Sequence, residues 1–197
     1  MKVLLCGFEP FSERRVNNSW EVAKQYDGMK NIKILKIPVS FHHAHEIVIE
    51  EINRNRYNFI IMLGETSLTP DNIRLERIAI NYKDSIKPDN EGIVADDEEI
   101  IMSAPKAYFT SFPVKKISEK IKEKEHKIKV TNSAGTFVCN SLYFNVLHYI
   151  AKNQLNTKAI FVHLPATTQV MSLKEMRNTV DEIIRISLSY KEEQSEL

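Results

Sequence analysis

A chain of 197 residues, 43% hydrophobic and 27% charged, is long enough to bury a substantial core without disulfide or metal staples. Its 27 basic and 26 acidic residues leave a net charge of +1, which excludes the electrostatic footprint of a nucleic-acid binder. No apolar run approaches the roughly 18 residues of a membrane span, and "MKVLLCGFEPF" meets Glu9 and Pro10 too soon for a signal peptide; a cytoplasmic chain without nucleic-acid or membrane partners is expected.

In chain order, "VLLCGF" (3–8) reads as a strand. "NSWEVAKQYDG" reads as a helix with a capping-box spacing from Asn18 to Glu21 and a stop at Gly28. Strand "IKILKIPV" (32–39), helix "HHAHEIVIEEINRN" (42–55), and strands "FIIMLG" (59–64) and "RLERIAI" (74–80) follow. The stretch 82–112 is irregular and long enough to be functional or contact-forming. Helix "VKKISEKIKEKE" precedes strand "KIKVTN" (127–132); the basic residues of 115–129 alternate with Glu and read as a solvated helix face. A helix carrying Cys139, strand "AIFVHL" (159–164) and a helix from Ser172, with Glu175 completing a capping box, close the order; "KEEQSEL" (191–197) reads as a solvated tail. The β-then-α alternation predicts an α/β three-layer sandwich with a largely parallel central sheet, in one domain over 1–197.

Two cysteines, Cys6 and Cys139, are expected as free thiols. After strand 127–132, "NSAG" supplies turn chemistry and Thr136 is the N-cap candidate, so Cys139 falls in the first turn of a helix. There the unpaired amides and the positive end of the dipole favour a thiolate and can cradle an oxyanion. Cys139, Leu142 and Val146 also share a helix face, so a buried core thiol remains the other reading. A nucleophile needs a base. Among the six histidines, the His42, His43 and His45 cluster invites a metal reading, but adjacent residues point apart and no second ligand pair completes a site. His163 ends a buried-type strand ahead of Pro165, where parallel sheets gather ligands, yet it reads equally as a satisfied structural group.

"GFEPF", "NSWEVAK", "ERIAIN", "PDNEG", "AYFTSFPVK", "NSAGTFVCN" and "FVHLP" occur in an order that resembles the pyroglutamyl peptidases, cysteine peptidases that remove N-terminal pyroglutamate from peptides. The resemblance runs from residue 1 to about 176. It implies an α/β/α sandwich, Cys139 as nucleophile, His163 as general base and Glu76 as the acid that orients it, with no metal or cofactor. It places Phe8, Phe11, Phe137 and Val138 on the apolar walls of the substrate pocket and Asn17 on its polar contact, although by themselves Phe8 and Phe11 read equally as core packing beside the first strand. Its substrates are peptides with a blocked N-terminus, and its microbial members are often homotetramers, so a tetramer or dimer is expected.

Three departures bear on specificity. "GETSLTPDN" is one residue longer than the family's usual loop before Glu76, puts Glu65 at a usual glutamine, and lacks its arginine. A carboxylate accepts a hydrogen bond from a lactam N–H but donates none to its carbonyl. Ile86, followed by Lys87, stands where the family has an arginine near its catalytic centre, and Asn18 replaces a proline. Two alternatives follow: an aminopeptidase or amidase in which Glu65 meets a charged N-terminal amine, or a family scaffold acting as a binding protein.

Overall fold

The computed structural model describes residues 1–195. Aliphatic and β-branched runs form strands β1 (Val3–Phe8), β2 (Ile32–Ile37), β3 (Phe59–Thr66), β4 (Ile73–Glu76), β5 (Ile78–Ile80), β6 (Ala107–Phe109), β7 (Ile128–Thr131) and β8 (Lys158–Pro165). Between them lie helices α1 (Asn18–Ala23), α2 (His43–Arg54), α3 (Val114–Lys122), α4 (Val138–Lys152) and α5 (Leu173–Ser195). The main sheet has the order β2-β1-β3-β8-β4-β7. β2, β1, β3 and β8 run parallel; β4 lies antiparallel to β8, and β7 parallel to β4.

Period-two alternation divides the core into two layers. Val3, Leu5, Ile61, Leu63 and Val162 face Val22 of α1, Ile117 of α3 and Val180 of α5. Leu4, Cys6, Ile60, Met62 and Phe161 face Val48 of α2 and Leu142 and Val146 of α4. The mixed α/β sandwich with a mostly parallel sheet is thus realised, with α2 and α4 on one face and α1, α3 and α5 on the other. Gly7 lets α1 approach closely: a Cβ there would lie 2.6 Å from the Ser19 carbonyl oxygen. Ser19 Oγ in turn accepts a 2.9 Å bond from the Phe8 amide.

Several boundaries differ from the sequence expectation. The run 74–80 is two strands, broken at Arg77, whose N–H donates to Thr131 and whose carbonyl accepts from Thr110. β5 leaves the main sheet and pairs antiparallel with β6, a strand too short for periodicity to reveal. Asn17, not Asn18, caps α1, accepting at 3.0 Å from the Ser19 amide. Asn18 Nδ2 instead donates to the Pro165 carbonyl at 2.9 Å. Phe137 occupies the N-cap position of α4, because Thr136 Oγ1 is drawn away to the Asp84 carbonyl at 2.8 Å. α5 begins with the expected box, Ser172 N donating to Glu175 Oε2 at 2.8 Å and Glu175 N to Ser172 Oγ at 3.2 Å. The segment expected as a tail from Lys191 is helical as far as Ser195; residues 196 and 197 lie outside those described.

Fully buried Asn140 ties α4 to β5. Its Oδ1 accepts from the Ile80 amide at 3.0 Å, and its Nδ2 donates to the Ile80 and Tyr82 carbonyls, both at 2.9 Å. Asn140→Leu leaves these backbone groups without partners and is expected to destabilise the fold by about 2–4 kcal/mol, measured by urea unfolding.

Candidate active site

Register brings the chemistry to one end of the sheet. Arg74 and Glu76 alternate with Ile73 and Leu75, so they share the face that α4 covers. The antiparallel pairing sets Arg74 opposite His163 and Glu76 opposite Phe161. Glu76 has no exposed surface. Its Oε1 accepts from His163 Nδ1 at 2.8 Å and lies 3.0 Å from Arg74 Nε, while its Oε2 accepts from Thr131 Oγ1 at 2.6 Å. A carboxylate only accepts, so His163 donates through Nδ1 and its Nε2 is left free to take a proton. The ring of His163 packs 4.8 Å, centroid to centroid, from that of Phe161.

Cys139 is the second residue of α4, and its sulfur fits where a side chain at Gly64 would stand. A Cβ on Gly64 would meet Cys139 Sγ at 3.2 Å and Phe161 Cζ at 2.7 Å. Gly64 is the register partner of His163 on β8, so their side-chain directions share one face, and the sulfur packs against that face. Although part of Cys139 faces a cleft, burial pushes its thiol up to about 12, helped by the negative charges of Glu76 and then Glu65; its own backbone amide pulls the other way.

The cleft encloses about 520 Å³, in the range of small-molecule sites, and Cys139 lines it. All the expected pocket residues meet there: Phe8, Phe11, Asn17, Glu65, Phe137 and Val138. Phe8 and Val138 serve also as core, whereas Phe11 packs its ring 5.3 Å from that of Phe137 and walls the opening. The Asn17 amide is already engaged, capping α1 through Oδ1 and donating to the Glu9 carbonyl at 3.0 Å. Glu65 has partners on both oxygens. One oxygen accepts from Arg14 Nη1 and the other from the Asn18 amide at 2.9 Å. Arg14 Nη2 also reaches the Ala166 carbonyl at 2.7 Å. Burial raises the pKa of the Glu65 carboxyl, and the Asn18 amide and Arg14 oppose that rise. Ile86 is fully exposed, while Lys87 lines the cleft.

Sequence reasoning missed Gly64, Arg74, Thr131, Asn140 and Arg14. A glycine ending an apolar strand signals a close approach, and the Arg74-to-Glu76 spacing puts both on one face of a strand. Nothing local marks Thr131 or Arg14. Of the histidine cluster, His43 bridges Glu46 at 2.7 Å and Glu91 at 3.3 Å on α2.

The chain belongs to the pyroglutamyl peptidase family, whose sequence pattern matches residues 1–189. It is 42% identical over 169 residues to the pyrrolidone-carboxylate peptidase of Thermococcus kodakarensis, covering 84% of this chain and 81% of that one. It is 37% identical over 198 residues to pyrrolidone-carboxylate peptidase 1 of Caldanaerobacter subterraneus, covering 94% and 97%. Among solved structures, a pyrrolidone carboxyl peptidase from Pyrococcus furiosus superposes with a TM-score of 0.90 at 31% identity, over 96% of this chain and 99% of that one. Bacillus amyloliquefaciens pyroglutamyl peptidase I gives 0.87 at 32%, over 92% and 93%.

Gly64→Ala tests the close approach. The added methyl must displace the Phe161 ring or the sulfur; we expect a loss of about 1–3 kcal/mol in urea unfolding and a drop of about 100-fold in peptidase turnover from misplacement of the nucleophile.

Proposed function

We propose that this chain is a cysteine peptidase that removes pyroglutamate from the N-terminus of peptides, with Cys139, His163 and Glu76 as its catalytic triad. The observation that carries the reading is the buried Glu76–His163 bond with Cys139 beside it, at the edge of an apolar cleft. Nε2 of His163 takes the Sγ proton as the sulfur attacks the scissile carbonyl carbon. The oxyanion faces amides at the start of α4, where backbone donors lack intrahelical partners. The intermediate collapses as His163 returns the proton to the leaving amine, giving a thioester. Water, deprotonated by the same nitrogen, attacks the thioester carbonyl and releases pyroglutamic acid and the thiol. Glu76 holds the Nδ1–H tautomer and supports the imidazolium throughout. In hydrolysis of a pyroglutamyl aminomethylcoumarin amide, Cys139→Ala and His163→Ala are each expected to lose about 10⁴-fold in kcat. Turnover by Cys139→Ala at the unmutated rate removes the assigned nucleophile.

A flat, uncharged lactam needs apolar walls with one donor and one acceptor beside them. Phe8, Phe11 and Phe137 supply the walls. The Arg14–Glu65 pair presents a guanidinium donor next to a carboxylate acceptor, doing with two side chains what one amide does alone. Arg14 already balances the charge of Glu65, which weighs against a subsite for a free N-terminal ammonium and against the aminopeptidase reading. The buried, fully bonded Glu76 weighs against a merely binding role, since an ionised group without function there would cost more than it contributes. Lys87 offers the cleft the positive charge that family members carry one residue earlier. No helix among the described residues is long and apolar enough to cross a membrane; we place the protein in the cytoplasm, where its free thiols persist. Ile86, Met102 and Phe109, exposed on the 82–112 region, suit contacts within a homo-oligomer.

Each half of the charged pair depends on the other. Glu65→Gln leaves Arg14 without its carboxylate, and Arg14→Ala leaves a buried anion. Either change is expected to raise KM for the pyroglutamyl amide about tenfold, while the double variant Arg14→Ala/Glu65→Gln recovers part of that loss, measured as a double-mutant cycle.

A further inference from the structure

Resting on the triad reading, we infer that Arg74 is a positioning residue that keeps the Cys139–His163 pair uncharged until substrate arrives. Arg74 has 11% of its side chain exposed, and its Nε lies 3.0 Å from Glu76 Oε1, the oxygen that also accepts from His163. The guanidinium is held there by Nε to Thr131 Oγ1 at 3.2 Å and Nη2 to the Ser133 carbonyl at 2.8 Å. Antiparallel register sets it opposite His163 in the adjoining strand.

Charge balance decides what this does. A carboxylate with no exposed surface needs a compensating cation. A permanently charged guanidinium meets that need without taking a proton from the sulfur. Were Glu76 matched only by the Thr131 hydroxyl and a neutral imidazole, the missing charge would be drawn from Sγ–H. The proton would pass to His163 Nε2, giving a thiolate and an imidazolium. Arg74 bonds to the same Glu76 oxygen that holds His163 Nδ1, so its charge opposes a second positive charge on that imidazole and disfavours the separated pair. Other charges act from other elements: Glu65 of β3 repels the thiolate, and Lys87 and Arg14 of the cleft mouth attract it. Arg74 pairs with Glu76 directly, so it sets the charge on the acid that His163 feels. The thiol pushed up by burial, Glu76 and Glu65 agrees with a pair that rests neutral.

The test reads the sulfur and needs no substrate. Iodoacetamide labelling of Cys139 at pH 7 is followed by mass spectrometry of the peptide bearing it, with absorbance near 240 nm reporting thiolate. Arg74→Met is expected to label at least about tenfold faster than the unaltered protein and to gain thiolate absorbance; Arg74→Lys, which keeps the charge, is expected to stay within about twofold. In a His163→Ala background the Arg74→Met acceleration is expected to vanish, because no imidazole remains to take the proton. Should Arg74→Met not fold, Arg74→Gln carries the same expectation with closer shape. A native fold with labelling unchanged or slowed overturns the inference, and so does an acceleration that survives His163→Ala, since it would report simple exposure. Failure of the triad reading is seen separately, as pyroglutamyl amide turnover that persists in Cys139→Ala.

Discussion

A carboxylate without exposed surface must be matched where it stands, and Glu76 organises this end of the molecule for that reason. Its donors come from three strands: Arg74 from its own, Thr131 from β7 and His163 from β8. They meet only because β4 runs against β8 while β7 runs with β4. Had β4 joined the sheet in the common parallel direction, Arg74 and Glu76 would bear a different relation to the imidazole. The change of direction within the sheet thus brings Arg74, Glu76 and His163 together.

The Cys139 sulfur is placed by an absence of atoms. Gly64 removes the side chain that would fill the space beside His163, and the first turn of α4 moves its sulfur into that space. Asn140, one residue further on, fixes the turn to β5 through three bonds to backbone, so helix and strand cannot drift apart. Burial so close to two carboxylates makes a free thiolate expensive. On the proposed triad reading, the sulfur ionises in concert with attack, when the charge moves on to an oxyanion that the helix amides can hold.

Loops shape the cleft. The segment after β1 brings Phe11 and Arg14 over the cleft, where Arg14 fastens to Glu65 at the end of β3 and to the Ala166 carbonyl just past β8. An acidic residue at a position where an amide would serve is tolerable because a guanidinium arrives with it. Glu65 is accommodated because Arg14 pairs with it.

Alternating apolar runs were enough to determine the α/β class, the strands from Val3, Ile32, Phe59, Ile128 and Lys158, and the cap of α5, since these depend on local periodicity and capping chemistry. Motif order placed Cys139, His163 and Glu76 together in one family. Tertiary structure decided the rest. It split 74–80 between two sheets, moved the α4 cap from Thr136 to Phe137 by giving the threonine hydroxyl a partner 52 residues away, and supplied Glu65 with a counterion 51 residues away. Hydrogen bonds and ion pairs of that span depend on distance through space, which a linear pattern of residue types does not record.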